Sequence, residues 1–445
     1  MAKIVVLGAG VCGLATGMLL ARDGHDVTVL ERDAAAVPDS PGDAWEGWTR
    51  AGVAQFRQPH YLHVLARRVL DAELPDVRDA LVAAGALRFD TLETSPPTLP
   101  RFARQASDDR FVTITARRAI LEQVVSRAAQ AQRRMEVRRG IAVTGFTTRE
   151  LSGVPHVNGV RTASGEVVPA DLVVDAMGRR SPLPAWLREA GARSPHEEIE
   201  DSGFVYYSRY FRSRGGGRPA IREGLLVALG SISLLTLPAD NGTWSVTIVG
   251  SSRDRPLTNL RHPDRWTAVV AACPLQAHWL EGETFSEILP MAGILDRYRR
   301  LVVDGRPVAT GLALVADAWA CTNPSLGRGV SLGLAHAVRL RDVAHTHLAD
   351  PQQIAAAWDA VTEAELTPWY RATVAIDRAR LAEIEAVCAG RDIPPPADPA
   401  AVLGAALARA IGARCRHLPR LHGDRRLPEP AGGGVRSSRL CRSSH

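Results

Sequence analysis

The segment IVVLGAGVCGLATGMLL at residues 4–20 restricts the chain to few folds, because it sets a buried strand, a sharp glycine turn and a helix in immediate succession. Ile4 to Leu7 is the short apolar, β-branched run expected of a buried parallel strand. Gly8, Gly10 and Gly13 then follow with G-x-G-x-x-G spacing, ahead of a helical stretch carrying Leu14, Met18, Leu19 and Leu20. The first glycine permits a tight turn, the second lets a pyrophosphate approach the backbone, and the third lets helix and strand pack closely. Phosphates would then rest on free N–H groups at the positive end of the helix. Gly24 is a helix stop, and Asp26 to Leu30 reads as a second strand ending at Glu31. A carboxylate there can accept hydrogen bonds from a ribose, and Arg32 beside it joins the cofactor-binding set. Glu31 repels a 2′-phosphate, so the unit favours FAD or NAD over NADP and leaves those two open. A signal peptide is not expected, since the glycines interrupt the apolar run and only Lys3 precedes it.

Composition narrows the class further. No apolar run reaches membrane-spanning length, so no transmembrane segment and a cytoplasmic location are expected. The net charge of +6 rests on arginine, Lys3 being the one lysine, and without a DNA-binding motif it does not predict a nucleic-acid partner. The six cysteines, among them Cys12 and Cys321, lack C-x-x-C spacing, which predicts neither a metal site nor a disulfide framework.

Further segments separate the two cofactors. ARRAILEQVV at 116–125, DLVVDAMGRRSPLPAWL from 171, and LVADAWACTNPSLGRGVSLGLAHA from 314 occur in that order, with FRQPHYLHVLARRVL before them and LTPWYRATVAIDRARL after. Through these the chain, over residues 1–390, resembles the FAD-dependent monooxygenase and reductase superfamily of the para-hydroxybenzoate hydroxylase fold. Within it, the chain is most like proteins called FAD-dependent oxidoreductases or polyprenyl-methoxyphenol hydroxylase-like proteins. The resemblance implies that Asp317 holds the ribityl chain, and that Pro324, Gly327, Gly329 and Val330 bring a helix start to the flavin ring. It also implies that Arg118 reaches the phosphate or ribityl region, with Arg117 as the register alternative, and that Val143 touches adenine. Arg57, Gln58 and His60 fall near the flavin ring. Arg57 and His60 are the catalytic candidates: an arginine can orient an acidic substrate, and a histidine can exchange a proton near neutral pH. His63 reads as a helix-surface or packing residue. Tyr206, Tyr207, Tyr210 and Trp244 read as sheet core.

Two departures matter. Met177 stands where many hydroxylases of the superfamily have the aspartate of an Asp-Gly pair, which weakens the case for direct NADPH use; the electron donor is NAD(P)H or a partner flavin reductase. Ala316 replaces the glycine before Asp317 and keeps the carboxylate.

The expected architecture is α/β: a Rossmann-like FAD-binding domain with a parallel sheet, interleaved with a mostly antiparallel substrate domain and followed by a helical region. The FAD-binding domain takes residues 1–85, 113–185 and 291–345; the substrate domain takes 86–112 and 186–290. The helical region spans 346–421 and a flexible tail 422–445. FVYYSRYF, LLVALGSISLLTL and TWSVTIVG supply the antiparallel strands, the last two joined by the turn Ala239 to Gly242. SPPTLP reads as a turn at 95–100.

The resemblance implies a monooxygenase that hydroxylates or epoxidises an apolar or aromatic small molecule through a flavin hydroperoxide. Two alternatives remain: an FAD-dependent reductase or dehydrogenase of an unsaturated, isoprenoid-like substrate, and a low-turnover flavin-binding partner protein. A halogenase is disfavoured, since the W-x-W-x-I-P signature is absent.

Overall fold

A computed structural model describes residues 1–94, 105–215 and 217–393. The SPPTLP turn, residues 394–421 of the helical region and the tail lie outside the described residues. Five parallel strands form the central sheet, in the order Leu312–Leu314, Leu172–Asp175, Lys3–Leu7, Asp26–Glu31, Met135–Arg139. Ile4 to Leu7 are completely buried, as an apolar strand with neighbours on both sides and layers on both faces must be. The chain first builds outward through Asp26–Glu31, then reverses to the other side through Leu172–Asp175. Crevices at such reversals, at the carboxyl ends of the strands, are where open α/β sheets bind ligands.

Helices Val11–Arg22, Arg118–Ala131 and Gly329–His347 pack on one face of this sheet around Leu14, Met18, Ile120 and Leu334. The last helix approaches the first so closely that a Cβ at Gly333 would lie 2.4 Å from Cys12 Sγ. The opposite face is covered by the hairpin Val143–Leu151 and Val154–Thr162 and by the helix Leu183–Glu189, with Phe146 edge-on to Trp186.

A separate antiparallel sheet runs Leu226–Leu229, Ile232–Pro238, Thr243–Ser251, Phe204–Arg212, Glu283–Thr284. LLVALGSISLLTL is two strands, not one. Leu229 pairs with Ile232 around a two-residue turn that starts at Gly230, whose φ of +65° suits glycine. The strands Leu87–Asp90 and Val112–Thr115 pair with each other and, among the described residues, with no other strand; the second lies almost wholly beyond the 86–112 segment expected in the substrate domain. They are tied to the larger sheet through its turn, where Asn241 donates to the carbonyl of Ala84 at 3.0 Å. The last described helices are Pro351–Val361 and Thr367–Cys388. No described helix is long and apolar enough to cross a membrane.

Candidate functional site

The three glycines of the first turn have different surroundings. Gly8, at φ +100°, lies where a Cβ would be 2.8 Å from the Ala176 carbonyl oxygen, and a Cβ at Gly13 would be 2.1 Å from that of Gly8. Both are glycines because backbone crowds them. A Cβ at Gly10 meets nothing within 4 Å, and Gly10 caps the helix Val11–Arg22 without a side-chain hydrogen bond. Open space and free N–H donors therefore coincide at Gly10, the combination an anionic pyrophosphate needs.

Glu31 ends the neighbouring strand with its carboxylate already engaged. It accepts from Ala9 N, Asp33 N and Arg50 Nη2, each at 2.9 Å. Arg50 was not visible in the sequence pattern. Its guanidinium, almost completely buried, also faces Asp33 at 3.2 Å and Glu122 at 3.1 Å. Glu122 in turn pairs with Arg118 at 2.7 Å. Charges thus alternate from Glu31 to Arg118 in a buried chain, as burial requires. Arg50 is shared among Glu31, Asp33 and Glu122, so it leaves the Glu31 end of the site without surplus positive charge for a 2′-phosphate. Arg32 is exposed beside Gly52, and Val143 sits half-buried at the start of the hairpin. Ile141 N, just ahead of it, donates to the Glu31 carbonyl at 2.9 Å.

The adjacent arginines 117 and 118 part company. Arg117 binds Asp240 in the turn of the antiparallel sheet through its backbone N at 2.7 Å and its guanidinium at 2.7 Å. Arg118 points inward, where its charge acts on Asp317, Cys12 and His60. Asp317 is half-buried, and burial pushes its carboxyl above the usual range while Arg118 and Arg179 oppose the rise. Built Cβ atoms at Gly178 and Gly329 would each lie 3.9 Å from Asp317, so the second and third glycine segments converge on it. Ala316 holds a φ of +51°, the left-handed region that glycine favours, and donates its N–H to His336 Nδ1 at 3.3 Å. Cys12 remains a neutral thiol, pushed up to about 12 mainly by burial.

The loop carrying Arg57 to His63 lies against the third segment. His63, read above as a surface or packing residue, is a latch: its Nε2 lies 2.6 Å from the Leu326 carbonyl, and its N–H donates to Ser331 Oγ at 3.2 Å. Gly327 turns beneath it at φ +63°, Pro324 and Gly329 are exposed, and Val330 is buried in the helix core. No side chain caps the helix that begins at Gly329.

His60 has its Nε2 sealed from solvent without a hydrogen-bond partner. Burial, with Arg118 and His63 nearby, lowers it well below the usual histidine range. This burial favours the neutral ring. Arg57 donates to the Trp48 carbonyl at 2.9 Å and lies over Trp45, its carbon 4.9 Å from the ring centroid. Gln58 accepts from Ser208 Oγ at 3.0 Å.

Ser208 belongs to the strand Phe204–Arg212, whose two faces do different things. Tyr207 and Phe211, with Trp244 of the next strand, pack against Trp266 and Trp279 as core. On the other face Tyr206 donates to Asn323 Oδ1 at 2.7 Å, just ahead of Pro324, and Tyr210 meets the edge of Trp45 at 4.8 Å. The Tyr210 hydroxyl is buried with no partner. The core assignment thus holds for Tyr207 and Trp244, whereas Tyr206 and Tyr210 face the loop and the third glycine segment.

The open space at Gly10, the uncapped helix at Val11, the orphaned His60 Nε2 and the convergence on Asp317 fit an elongated flavin dinucleotide. The fold and site define an α/β flavoprotein. The FAD binding domain family matches residues 1–343, and the chain belongs to that family. Among its relatives is Protein Rv3254 of Mycobacterium tuberculosis (strain ATCC 25618 / H37Rv), 30% identical over 363 residues that cover 76% of this chain and 72% of that protein. Kynurenine 3-monooxygenase of Xanthomonas euvesicatoria pv. vesicatoria (strain 85-10) is 26% identical over 362 residues, covering 78% and 72%. A solved structure of pqsL, a probable FAD-dependent monooxygenase from Pseudomonas aeruginosa, shares the fold with a TM-score of 0.62 at 20% identity, over 87% of this chain and 98% of that one. The protein is an FAD-dependent oxidoreductase.

Proposed function

We propose that the protein is a monooxygenase that hydroxylates or epoxidises an aromatic or apolar small molecule held between the flavin and the antiparallel sheet. The observation that carries this reading is the face of Phe204–Arg212 that aims Tyr206, Ser208 and Tyr210 at Asn323, Gln58 and Trp45. Aromatic walls with a few polar tips are the usual chemistry of a small-molecule pocket.

Bound FAD would accept electrons from the donor and supply the oxygen chemistry. In this reading the chain positions it: Gly8, Gly10 and Gly13 at the pyrophosphate, Glu31, Arg32 and Val143 at the adenosine end, Asp317 and Arg118 along the ribityl chain. Pro324, Gly327, Gly329 and Val330 bring the uncapped helix start to the ring, so that N–H donors meet its electron-rich edge. Arg57, fixed by Trp48 and Trp45, would orient a substrate with an anionic or electron-rich group. His60, neutral, would donate or accept one hydrogen bond without changing charge. The Tyr210 hydroxyl supplies a second unsatisfied polar tip. The latch from His63 to Leu326 would keep this side of the cavity closed to water.

Met177 favours a second reading, reduction or desaturation of an isoprenoid-like substrate, with electrons from NAD(P)H or a flavin reductase. Incubation with candidate aromatic and isoprenoid substrates under isotopically labelled oxygen, followed by mass analysis, separates the two. Label in the product supports oxygenation; an unlabelled saturated or desaturated product supports the second reading instead.

A further inference from the structure

A second cleft, of about 560 Å3, opens where the middle glycine segment meets the strand Leu295–Arg300. Its volume lies within the usual range for small-molecule sites. Arg179, Arg180, Arg188, Arg297 and Arg299 line it, and Glu197 is the one carboxylate among its walls. Glu197 is spent on Arg299, whose Nε lies 2.7 Å away and whose other nitrogens donate to the carbonyls of Ala318 and Ser181. Arg297 gains little from it: the carboxylate is 3.5 Å from its Nε, which is buried without a hydrogen-bond partner.

The side chains of Arg179, Arg180 and Arg188 make no hydrogen bond or ion pair among the described residues. Neighbouring arginines behave differently. Arg300, next along the same strand, holds Asp359 at 2.7 Å, and Arg371 holds Glu198 on the strand beside it. Burial first, and then the adjacent Arg299, depress Arg297 below the usual guanidinium range. Like charges held in one cleft repel one another, and an anion entering it removes that repulsion.

We propose that this cleft binds the phosphate or diphosphate group of a small molecule, gripped by Arg179, Arg180, Arg188 and Arg297. Guanidinium forks match phosphate oxygens in pairs, and the one competing carboxylate is already paired. Arg179 also acts on Asp317, so a ligand seated here lies beside the ribityl end of the flavin site. A nicotinamide dinucleotide and a diphosphate-bearing substrate share the required chemistry. The proposal does not depend on whether the product is oxygenated or reduced.

Calorimetric titration of the FAD-loaded protein at low ionic strength, with inorganic pyrophosphate, NADPH and NADH, tests it against the double variant Arg180→Glu/Arg188→Glu. Both residues are exposed, and the variant should fold and keep its FAD. Pyrophosphate should bind the parent protein and bind the variant at least about tenfold more weakly, with Arg297→Gln weakening it in the same direction. Competition between pyrophosphate and a dinucleotide identifies the nucleotide as the source; pyrophosphate binding without dinucleotide binding points to a phosphorylated substrate. Absence of any phosphate binding, equal binding by the double variant, or loss of its FAD would overturn the proposal.

Discussion

The parallel and antiparallel sheets of this protein are built for recognition by opposite means. In the parallel half the backbone does the work. Gly8 and Gly13 exist to bring chain against chain, Gly10 leaves space, and the charged side chains beneath are paired among themselves from Glu31 to Arg118. In the antiparallel half the backbone is consumed by strand pairing, so any selectivity must come from side chains such as Tyr206 and Tyr210. A cofactor of constant shape suits the first arrangement, and a substrate that differs between relatives suits the second.

The largest expected effect separates the two roles within one loop. Gly10→Val should yield a folded protein without FAD, because the new side chain occupies the open ground in front of the helix, whereas Gly13→Val should not fold, its Cβ colliding with backbone. Flavin absorbance together with circular dichroism distinguishes them. Retention of stoichiometric FAD by Gly10→Val would break the comparison.

The next effect concerns the bond between the halves. Arg117→Ala leaves Asp240 fully buried without its guanidinium, which should cost about 3–5 kcal/mol in urea unfolding. Removing both charges, in Arg117→Met/Asp240→Asn, should cost less than the two single changes added together. Strict additivity would mean that the pair does not couple the sheets.

A smaller effect depends on pH. Asp377, on the helix Thr367–Cys388, accepts from Ser325 in the third glycine segment, and burial raises its carboxyl to about 7. A carboxyl raised in the folded state stabilises fully only below the unfolded value of 3.8, and that stability drains away as pH climbs to about 7. Asp377→Asn should therefore be more stable than the parent by up to about 4 kcal/mol at pH 8, with the gain vanishing toward pH 4. Thermal melts across that range would show a flat difference if the account is wrong. The smallest change is Ala316→Gly, which relieves a left-handed alanine and should stabilise by about 0.5–1 kcal/mol.

How much of this was legible in the sequence follows the same division. The strand, glycine turn, helix and acid of residues 4–31 are local, and their spacing carries their meaning. Arg50 is not local to its partners: it lies 19 residues from Glu31 and 72 from Glu122, with no periodic pattern to point at either. Nor could the sequence tell Tyr206 and Tyr210 from Tyr207. Almost every residue of Phe204–Arg212 is buried, so the alternation that normally separates an inner from an outer face is missing. LLVALGSISLLTL hid its turn because Gly230 and Ser231 are followed by the further polar residues Ser233 and Thr236, so the pair does not stand out as a break.

The central claim is that one FAD spans the crevice, adenosine toward Glu31, ribityl chain at Asp317, ring facing Tyr206 and Tyr210. A crystal structure of the FAD-loaded protein tests this most directly. The account predicts a single dinucleotide with its pyrophosphate at Gly10 and its ring against the helix that begins at Gly329; a flavin seated elsewhere, or one whose ring is walled off from the antiparallel sheet, would contradict it.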